Sequence, residues 1–151
     1  MRHAPAAVLL ALTIAAMFVS ACSGQPSPLA ATGPFAYPAS VSPPLERVAI
    51  LLTVTNRGTD DVVVNPSDFI ARDGNHQIYP ADPTATSSDA ELVRLATGPR
   101  LETLPLPTVT LRQADVLSGF IVFDVPEGTR PVELIWRQSD TDQVVTLASP
   151  R

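Results

Sequence analysis

The chain has 151 residues, with 15 acidic against 10 basic side chains and a formal net charge of −5. An acidic chain is a poor partner for nucleic acid or for anionic lipid headgroups, since both repel negative charge. A single cysteine excludes an intramolecular disulfide, and the length and the 45% hydrophobic content indicate one folded domain.

The N-terminal segment is typical of a secretory signal peptide. Arg2 supplies a positive start, and the stretch 6–19 is an uninterrupted, uncharged apolar run. A helix needs about 20 apolar residues to cross a bilayer core, so this run is too short for a permanent anchor. It has the length of a signal-peptide core, and we expect residues 1–21 to be removed from the mature protein.

A short motif, Val19, Ser20, Ala21 and Cys22, stands where the apolar run ends. An aliphatic residue and two small residues before a cysteine resemble the lipobox of bacterial lipoproteins. The resemblance implies that the Cys22 thiol accepts a diacylglyceryl group and that cleavage leaves Cys22 as the first residue. The alternative is a secreted protein with a cysteine near its cleavage site. We predict a lipid anchor on the extracytoplasmic face of the cell membrane.

Residues 22–44 are predicted to form a linker. Proline recurs throughout this segment, and most of its other residues are small. Such a composition favours an extended chain without a packed core. At about 3.1 Å per residue the segment reaches at most roughly 70 Å, so we expect it to lift the following domain off the membrane.

The domain predicted over residues 45–151 begins with strand patterns. Residues 46–55 are apolar and β-branched with a period of two, which predicts a strand of an inner layer. Short strands are predicted at 62–64 and 68–72. Residues 73–75, Asp-Gly-Asn, predict a tight hairpin turn before a returning strand at 77–79.

Residues 80–104 are less regular. Their first half is polar and is predicted to be a loop, while residues 91–97 fit either one turn of helix or a short strand. Residues 104–111 begin extended because of their prolines and end as a strand. This segment is the least defined part of the predicted domain.

The strongest later strand pattern covers residues 116–125, followed by strands at 132–137 and 144–147. Turn residues separate all of these elements, and no alternation of strands with long helices is present in the sequence. We therefore predict an all-β protein, an immunoglobulin-like antiparallel β-sandwich of about seven or eight strands without a disulfide.

Two stretches carry a further resemblance: ILLTVTNRGTDDVVVNPSDFIARDGNHQIYP and SGFIVFDVPEGTRPVELIW. They are similar to a family of bacterial secreted proteins and lipoproteins with telokin-like, immunoglobulin-type sandwiches, over roughly residues 46–147. The lysine-free, alanine- and proline-rich composition is typical of an actinobacterial source. The resemblance implies the fold but carries no catalytic motif. Such domains often have a Pro-Gly-acid turn where this chain has Arg-Gln-Ala-Asp at 112–115.

The mature sequence offers little material for catalysis or metal binding. His76, within the predicted hairpin turn, is its single histidine, and no serine lies in a Gly-x-Ser-x-Gly motif. Both methionines, Met1 and Met17, fall in the signal peptide, so a soft-metal site lacks ligands. The paired acids of the turns fit turn capping better than calcium binding. We predict no enzyme activity, no metal and no cofactor.

Three side chains are candidates for contact with a partner. Trp136 lies on the same face of its predicted strand as Val132 and Leu134, which favours a position in the core. If Trp136 were exposed instead, it could anchor a partner. Arg94 and Arg100 fall in the 80–104 segment. If that segment is an exposed loop, either arginine could occupy a trypsin-like specificity pocket.

Two functions from different classes therefore compete. The first is a non-enzymatic envelope lipoprotein whose sandwich binds an envelope protein or another envelope component. The second is a sandwich-type protease inhibitor that presents residues 80–104. An enzyme would need a site built from acids and arginines alone, and no spacing in the sequence indicates one.

Overall fold

The computed structural model describes residues 28–98 and 103–148. The predictions for Cys22, for the lipobox and for Arg100 lie outside these residues. Nine strands are described: β1 Leu29–Ala36, β2 Leu45–Thr55, β3 Val62–Val64, β4 Phe69–Asp73, β5 Ile78–Pro80, β6 Val109–Leu111, β7 Val116–Pro126, β8 Pro131–Trp136 and β9 Gln143–Thr146. Two α-helices, α1 Pro83–Ser88 and α2 Ala90–Thr97, and a short 3-10 helix, Pro66–Asp68, complete the described elements.

The strands form an immunoglobulin-like antiparallel β-sandwich, which confirms the predicted fold class. One sheet has the order β1-β2-β7, the other has the order β5-β4-β8-β9, and β3 pairs with β6. All named strand pairs are antiparallel. The sheets form because alternate residues of each strand are apolar and must be covered.

The main core lies between the two sheets. From β2 it takes Val48, Ile50, Leu52 and Val54, which are the residues that the period-two pattern predicts on one face. The opposite sheet contributes aromatic and aliphatic side chains that are also buried: Phe69, Ala71, Leu134 and Trp136. Because burial of each large apolar side chain stabilises by about 1.5–3 kcal/mol, this layer is the principal source of stability.

The predicted linker, residues 22–44, contains a strand, so the linker prediction is wrong from Leu29 onward. β1 pairs with β2 from Leu29 opposite Val54 to Ala36 opposite Val48, with an irregularity between Thr32 and Phe35. The strand lies at the edge of its sheet, where proline is tolerated because the outer side makes few ladder hydrogen bonds. On that side the Gly33 N–H donates to the Ala148 carbonyl at 3.1 Å. The sandwich therefore begins at Leu29 rather than at the predicted boundary, position 45.

The predicted 80–104 loop is also corrected, because most of it is helical. Asp82 caps α1 by accepting a hydrogen bond from the Ala85 N–H at 2.9 Å, and Pro83 stands in the first turn, where its missing N–H costs little. Residues 91–97 belong to α2, which ends at Gly98 with φ of 78°. Of the two predicted alternatives for residues 91–97, the helix is therefore correct.

The helices cover the outer face of the β1-β2-β7 sheet. This second cluster combines side chains from β2 and β7 with side chains from the helices and from the end of β1: Tyr37, Ala49, Leu51, Ala85, Val93, Phe120 and Val122. The β1-β2-β7 sheet is thus buried on both faces. Within residues 28–98 and 103–148, none of the helices has the length and apolar character that crossing a membrane requires.

Two stretches, residues 81–86 and 104–106, also follow the free edge of β7. Asp82 N–H donates to the Val122 carbonyl at 2.8 Å, and Val122 N–H donates to the Thr86 hydroxyl at 2.9 Å. Farther along, Phe120 N–H donates to the Leu104 carbonyl at 2.9 Å. A Cβ on Gly119 would lie 3.0 Å from the Leu104 carbonyl oxygen, so a larger residue there would push against the backbone of Leu104.

Candidate functional site

The densest group of interacting charges lies where the helices meet the sheet, and Arg47 stands at its centre. Arg47 on β2 is the register partner of Asp124 on β7, and its Nε donates to Asp124 Oδ1 at 2.9 Å. Its Nη1 donates to Asp89 Oδ2 at 2.9 Å, and its Nη2 lies 4.0 Å from Asp82 Oδ2. One guanidinium therefore faces three carboxylates from three different parts of the chain. We call this group, with Tyr37, the Arg47 cluster.

Asp89 is the carboxylate that joins the helices to the sheet. It stands between α1 and α2, and its Oδ2 accepts from the Tyr37 hydroxyl at 2.9 Å as well as from Arg47. Its Oδ1 accepts from the Ser88 hydroxyl at 2.9 Å. Burial favours the neutral acid, but the hydrogen bonds from Ser88, Tyr37 and Arg47 outweigh it and lower the pKa of Asp89. Asp89 is therefore a carboxylate at neutral pH.

Tyr37 is held as a neutral phenol. Burial and its hydrogen bond to the Asp89 carboxylate both raise the pKa of Tyr37 above its ordinary value. A proton donor fixed in this way does not act as a base, and a carboxylate saturated by three donors is a weak one. The Arg47 cluster therefore has the chemistry of a structural clamp, with its donors and acceptors turned toward one another.

A second polar feature is a groove at the opposite end of β2, where β3 begins and β8 turns into β9. Its volume is about 670 Å³, and its lining includes four aspartates and one arginine: Asp60, Asp61, Asp68, Asp140 and Arg137. The groove is open and acidic, and its aspartates lie in or beside turns, where carboxylates commonly cap the backbone. In residues 28–98 and 103–148, no group of three or more histidine, cysteine, aspartate or glutamate side chains is arranged to hold a metal ion.

Trp136 lies in the core, so its alternative role as an exposed partner contact is wrong. Its side chain is 2% exposed, and its ring stacks on Phe69 with a centroid distance of 5.7 Å and an interplanar angle of 6°. An aromatic pair of this kind stabilises by roughly 0.5–1.5 kcal/mol beyond the area that it buries. Trp136 is part of the sandwich's main core.

Arg94 is exposed on α2 and is already engaged. Its Nε and Nη2 donate to the two oxygens of Glu91, one turn earlier, at 2.8 and 2.6 Å. A residue that occupies the specificity pocket of a protease must lie in an extended segment that fits the cleft. The helical backbone at Arg94 therefore speaks against the inhibitor hypothesis for this residue.

His76 occupies a solvent-exposed turn, as the sequence predicts. Its φ is 65°, and the turn around it is organised by Asp73, whose Oδ1 accepts from the N–H groups of Asn75 and Gln77 at 2.8 and 2.9 Å. The Tyr79 hydroxyl donates to the other oxygen of Asp73 at 2.9 Å. Asp73 is a turn-forming residue rather than the acid of a catalytic triad.

Sequence reasoning missed the Arg47 cluster entirely. Arg47 is separated from Asp89 by 42 residues and from Asp124 by 77 residues, and no local spacing joins them. Two local signals were present: Asp82 followed by Pro83 is a typical helix start, and Gly98 is a typical helix end. That pair of signals would have found the helices, and with them the face that the cluster closes.

Comparison with known proteins adds a family and a fold. Residues 41–143 match the family described as "Domain of unknown function (DUF4352)". No curated protein sequence matches the chain. Among solved structures, the secreted protein MPT63 of Mycobacterium tuberculosis gives a TM-score of 0.54 at 18% identity, covering 78% of this chain and 80% of that chain. At that identity the likeness shows the fold alone, and it agrees with the immunoglobulin-type resemblance in the sequence.

Two Bacillus subtilis structures match more weakly. The candidate lipoprotein ycdA gives a TM-score of 0.48 at 20% identity, covering 79% of this chain and 33% of that chain. The yjhA protein gives a TM-score of 0.45 at 16% identity, covering 81% of this chain and 93% of that chain.

Proposed function

Because the chain belongs to the DUF4352 family of domains of unknown function, we propose its role from its own residues: an extracytoplasmic lipoprotein with a non-enzymatic binding domain. The observation that carries the proposal is the lipobox that ends at Cys22, shortly before the first strand at Leu29. The apolar run and the lipobox thus precede the fold. Cys22 would be the lipid-bearing residue.

The chemistry of the described residues supports a binding role. The most concentrated charges, those of the Arg47 cluster, are directed at one another, and the single described histidine is an exposed turn residue. Nucleophilic catalysis requires a nucleophile within hydrogen-bond reach of a base. The features that remain for interaction are surfaces: the acidic groove, the loops and the outer side of the helices.

The anchor is tested by Cys22→Ala, with Ser23→Ala as the matched control one residue later. In cells supplied with labelled fatty acid, we expect the wild type and Ser23→Ala to be labelled and to sediment with membranes. Cys22→Ala should lose the label and leave the membrane fraction, since two or more acyl chains are what hold a protein firmly. A Cys22→Ala variant that stays in the membrane, together with an unlabelled wild type, would contradict the lipoprotein proposal.

The binding role is tested by crosslinking the wild-type protein in its native membrane. We expect one envelope protein or envelope component to recur across independent crosslinking positions on the sandwich. Crosslinks that spread evenly over unrelated abundant proteins would count against a binding domain. Assay of the intact protein against a panel of serine proteases separates the inhibitor alternative, for which we expect no slowing of proteolysis.

A further inference from the structure

The outer side of the helical segment carries apolar side chains that the fold leaves uncovered. Leu92 and Leu95 of α2 are 37% and 68% exposed, while Val93 and Thr97 of the same helix are buried. Residues three apart share one face of a helix, so the two leucines stand side by side on the outward face. Leu104, which is 65% exposed, follows α2 in the chain; its carbonyl accepts from the N–H of Phe120, the residue with which Val93 of α2 shares a buried cluster. We call these three leucines the leucine patch.

We propose that the leucine patch rests on the surface of the bilayer in which the lipid of Cys22 is inserted. This inference rests on the proposed lipid anchor, and it adds an orientation: the helical side of the sandwich faces the membrane. The occupant of the patch is the apolar boundary of the lipid layer, which suits small apolar areas beside polar ones.

The length of chain between the lipid and the fold supports this placement. The Pro28 carbonyl accepts a hydrogen bond from the Thr55 N–H at 2.8 Å, so Pro28 is fixed beside the end of β2. Only the short stretch 23–27 separates it from Cys22. A fully extended chain spans at most about 3.5 Å per residue, so Pro28 lies within roughly 20 Å of the lipid-bearing residue. The sandwich is held against the bilayer rather than lifted away from it.

Strand register places the leucine patch within reach. The Leu104 carbonyl accepts from the N–H of Phe120, and Phe120 is the register partner of Leu51. Leu51 precedes Thr55 by two strand repeats, or about 13 Å along the strand. Val93 packs in the same cluster as Phe120, so α2 shares this side of the sheet. Pro28 lies on the β1 side of β2 and Leu104 lies beyond β7, so three strand spacings of about 4.8 Å bring the offset to roughly 20 Å. The fully extended tether has about that reach, so it allows the flank to lie on the membrane.

Area favours a lipid surface over a second protein, and the charges beside the leucines do not oppose it. The charges next to the leucines, Glu91 and Arg94, pair with each other, so this part of α2 adds no net charge to repel anionic headgroups. Three leucines cover far less than the roughly 800 Å² per partner of a standard protein interface. A weak contact suffices beside a bilayer because the tether keeps the patch at high effective concentration.

The experiment uses the lipidated full-length protein in vesicles of phosphatidylcholine, whose headgroups carry no net charge to repel the acidic chain. Leu95→Cys is labelled with an environment-sensitive fluorophore. The lipid occupies the native thiol, so the label has one position. Ile78→Cys is the matched control, because Ile78 is 53% exposed on β5 of the other sheet. At position 95 we expect the fluorophore's emission to be blue-shifted and to be quenched by quenchers attached to lipid. At position 78 we expect the emission of a fluorophore surrounded by water.

Three results would overturn the proposal. Equal emission and quenching at positions 95 and 78, in protein that floats with the vesicles, would show an anchored domain that does not rest on this flank. A concentration-dependent blue shift of the Leu95→Cys label without vesicles, on a Cys22→Ala background, would show that a second copy covers the patch. Failure of the protein to float with vesicles would contradict the proposed lipid anchor, and the docking with it. Flotation thus reports the proposed function, and emission reports the docking.

Discussion

The two faces of the β1-β2-β7 sheet are buried by different means. The inner face meets a second sheet, and its residues follow the alternation of the strands themselves. The outer face meets two short helices, and its closure depends on contacts such as Tyr37 with Asp89, which are 52 residues apart. The contrast shows that the alternation of apolar residues along a strand predicts only the core layer that lies between the two sheets. The other layer is assembled from distant residues and is closed by charges.

The largest expected effect comes from truncating one aromatic ring in each layer. Phe123 and Phe120 lie on the same strand and are both fully buried, Phe123 in the inner core and Phe120 under the helices. Removal of a buried phenylalanine to alanine costs about 3–5 kcal/mol. We expect Phe123→Ala near the top of that range and Phe120→Ala near the bottom, because short helices can settle into a cavity more readily than a paired sheet.

Denaturant unfolding of both variants measures the two losses in free energy. Hydrogen exchange then separates them by location. Phe120→Ala should reduce protection chiefly in α1 and α2, whereas Phe123→Ala should reduce it throughout the sandwich. Equal loss of protection in every element for both variants would mean that the two layers unfold as one unit.

A smaller effect is expected from removing the centre of the Arg47 cluster. Arg47→Met keeps much of the side-chain volume but leaves Asp82, Asp89 and Asp124 without their shared cation. Loss of one partner from a set of hydrogen-bonded charges lowers the free energy of unfolding by about 1.5–3 kcal/mol. Because the Arg47 cluster is partly exposed, we expect a loss in the lower half of that range.

Arg94→Met is the matched control for that substitution, because it breaks an exposed ion pair within one helix. Such pairs contribute little to stability because solvent screens them. Thermal and denaturant unfolding of the two variants should therefore differ clearly. If Arg47→Met is as stable as Arg94→Met, the cluster does not clamp the outer layer.

The smallest expected effect is a dependence of the outer layer on pH. Hydrogen bonds lower the pKa of Asp89 in the folded state, so its folded value lies below the unfolded value of about 3.9. The stability it contributes is therefore fully present above about pH 4 and is lost as the pH falls through the folded value. The free energy of unfolding, measured from neutral pH down to the acid range, should fall less steeply toward acid in Asp89→Asn than in the wild type. Parallel curves would contradict this role for Asp89.

Strands with strong alternation were predictable, and β2, β7 and β8 lie close to their predicted positions. β1 was not, because its alanines, Gly33 and Pro34 have the composition of a linker, and only pairing with β2 makes the segment a strand. Propensity is a weak guide where a neighbouring strand supplies the hydrogen bonds.

The helices and the Arg47 cluster show a second limit. α1 has only 6 residues, too few for an apolar period to repeat, so only its cap and proline mark it in the sequence. The cluster has no local pattern at all, because its members become neighbours only after the strands pair and the helices dock.

The stretches 81–86 and 104–106 affect how the chain behaves beside other copies of itself. β7 is 11 residues long, and its hydrogen-bonding groups on the side away from β2 are partly taken by Asp82, Thr86 and Leu104. An open strand of that length is a template for recruiting the backbone of another molecule. By occupying this edge, the two stretches hinder sheet growth from chain to chain, so resistance to aggregation depends on residues of which only Leu106 is a buried member of the inner core.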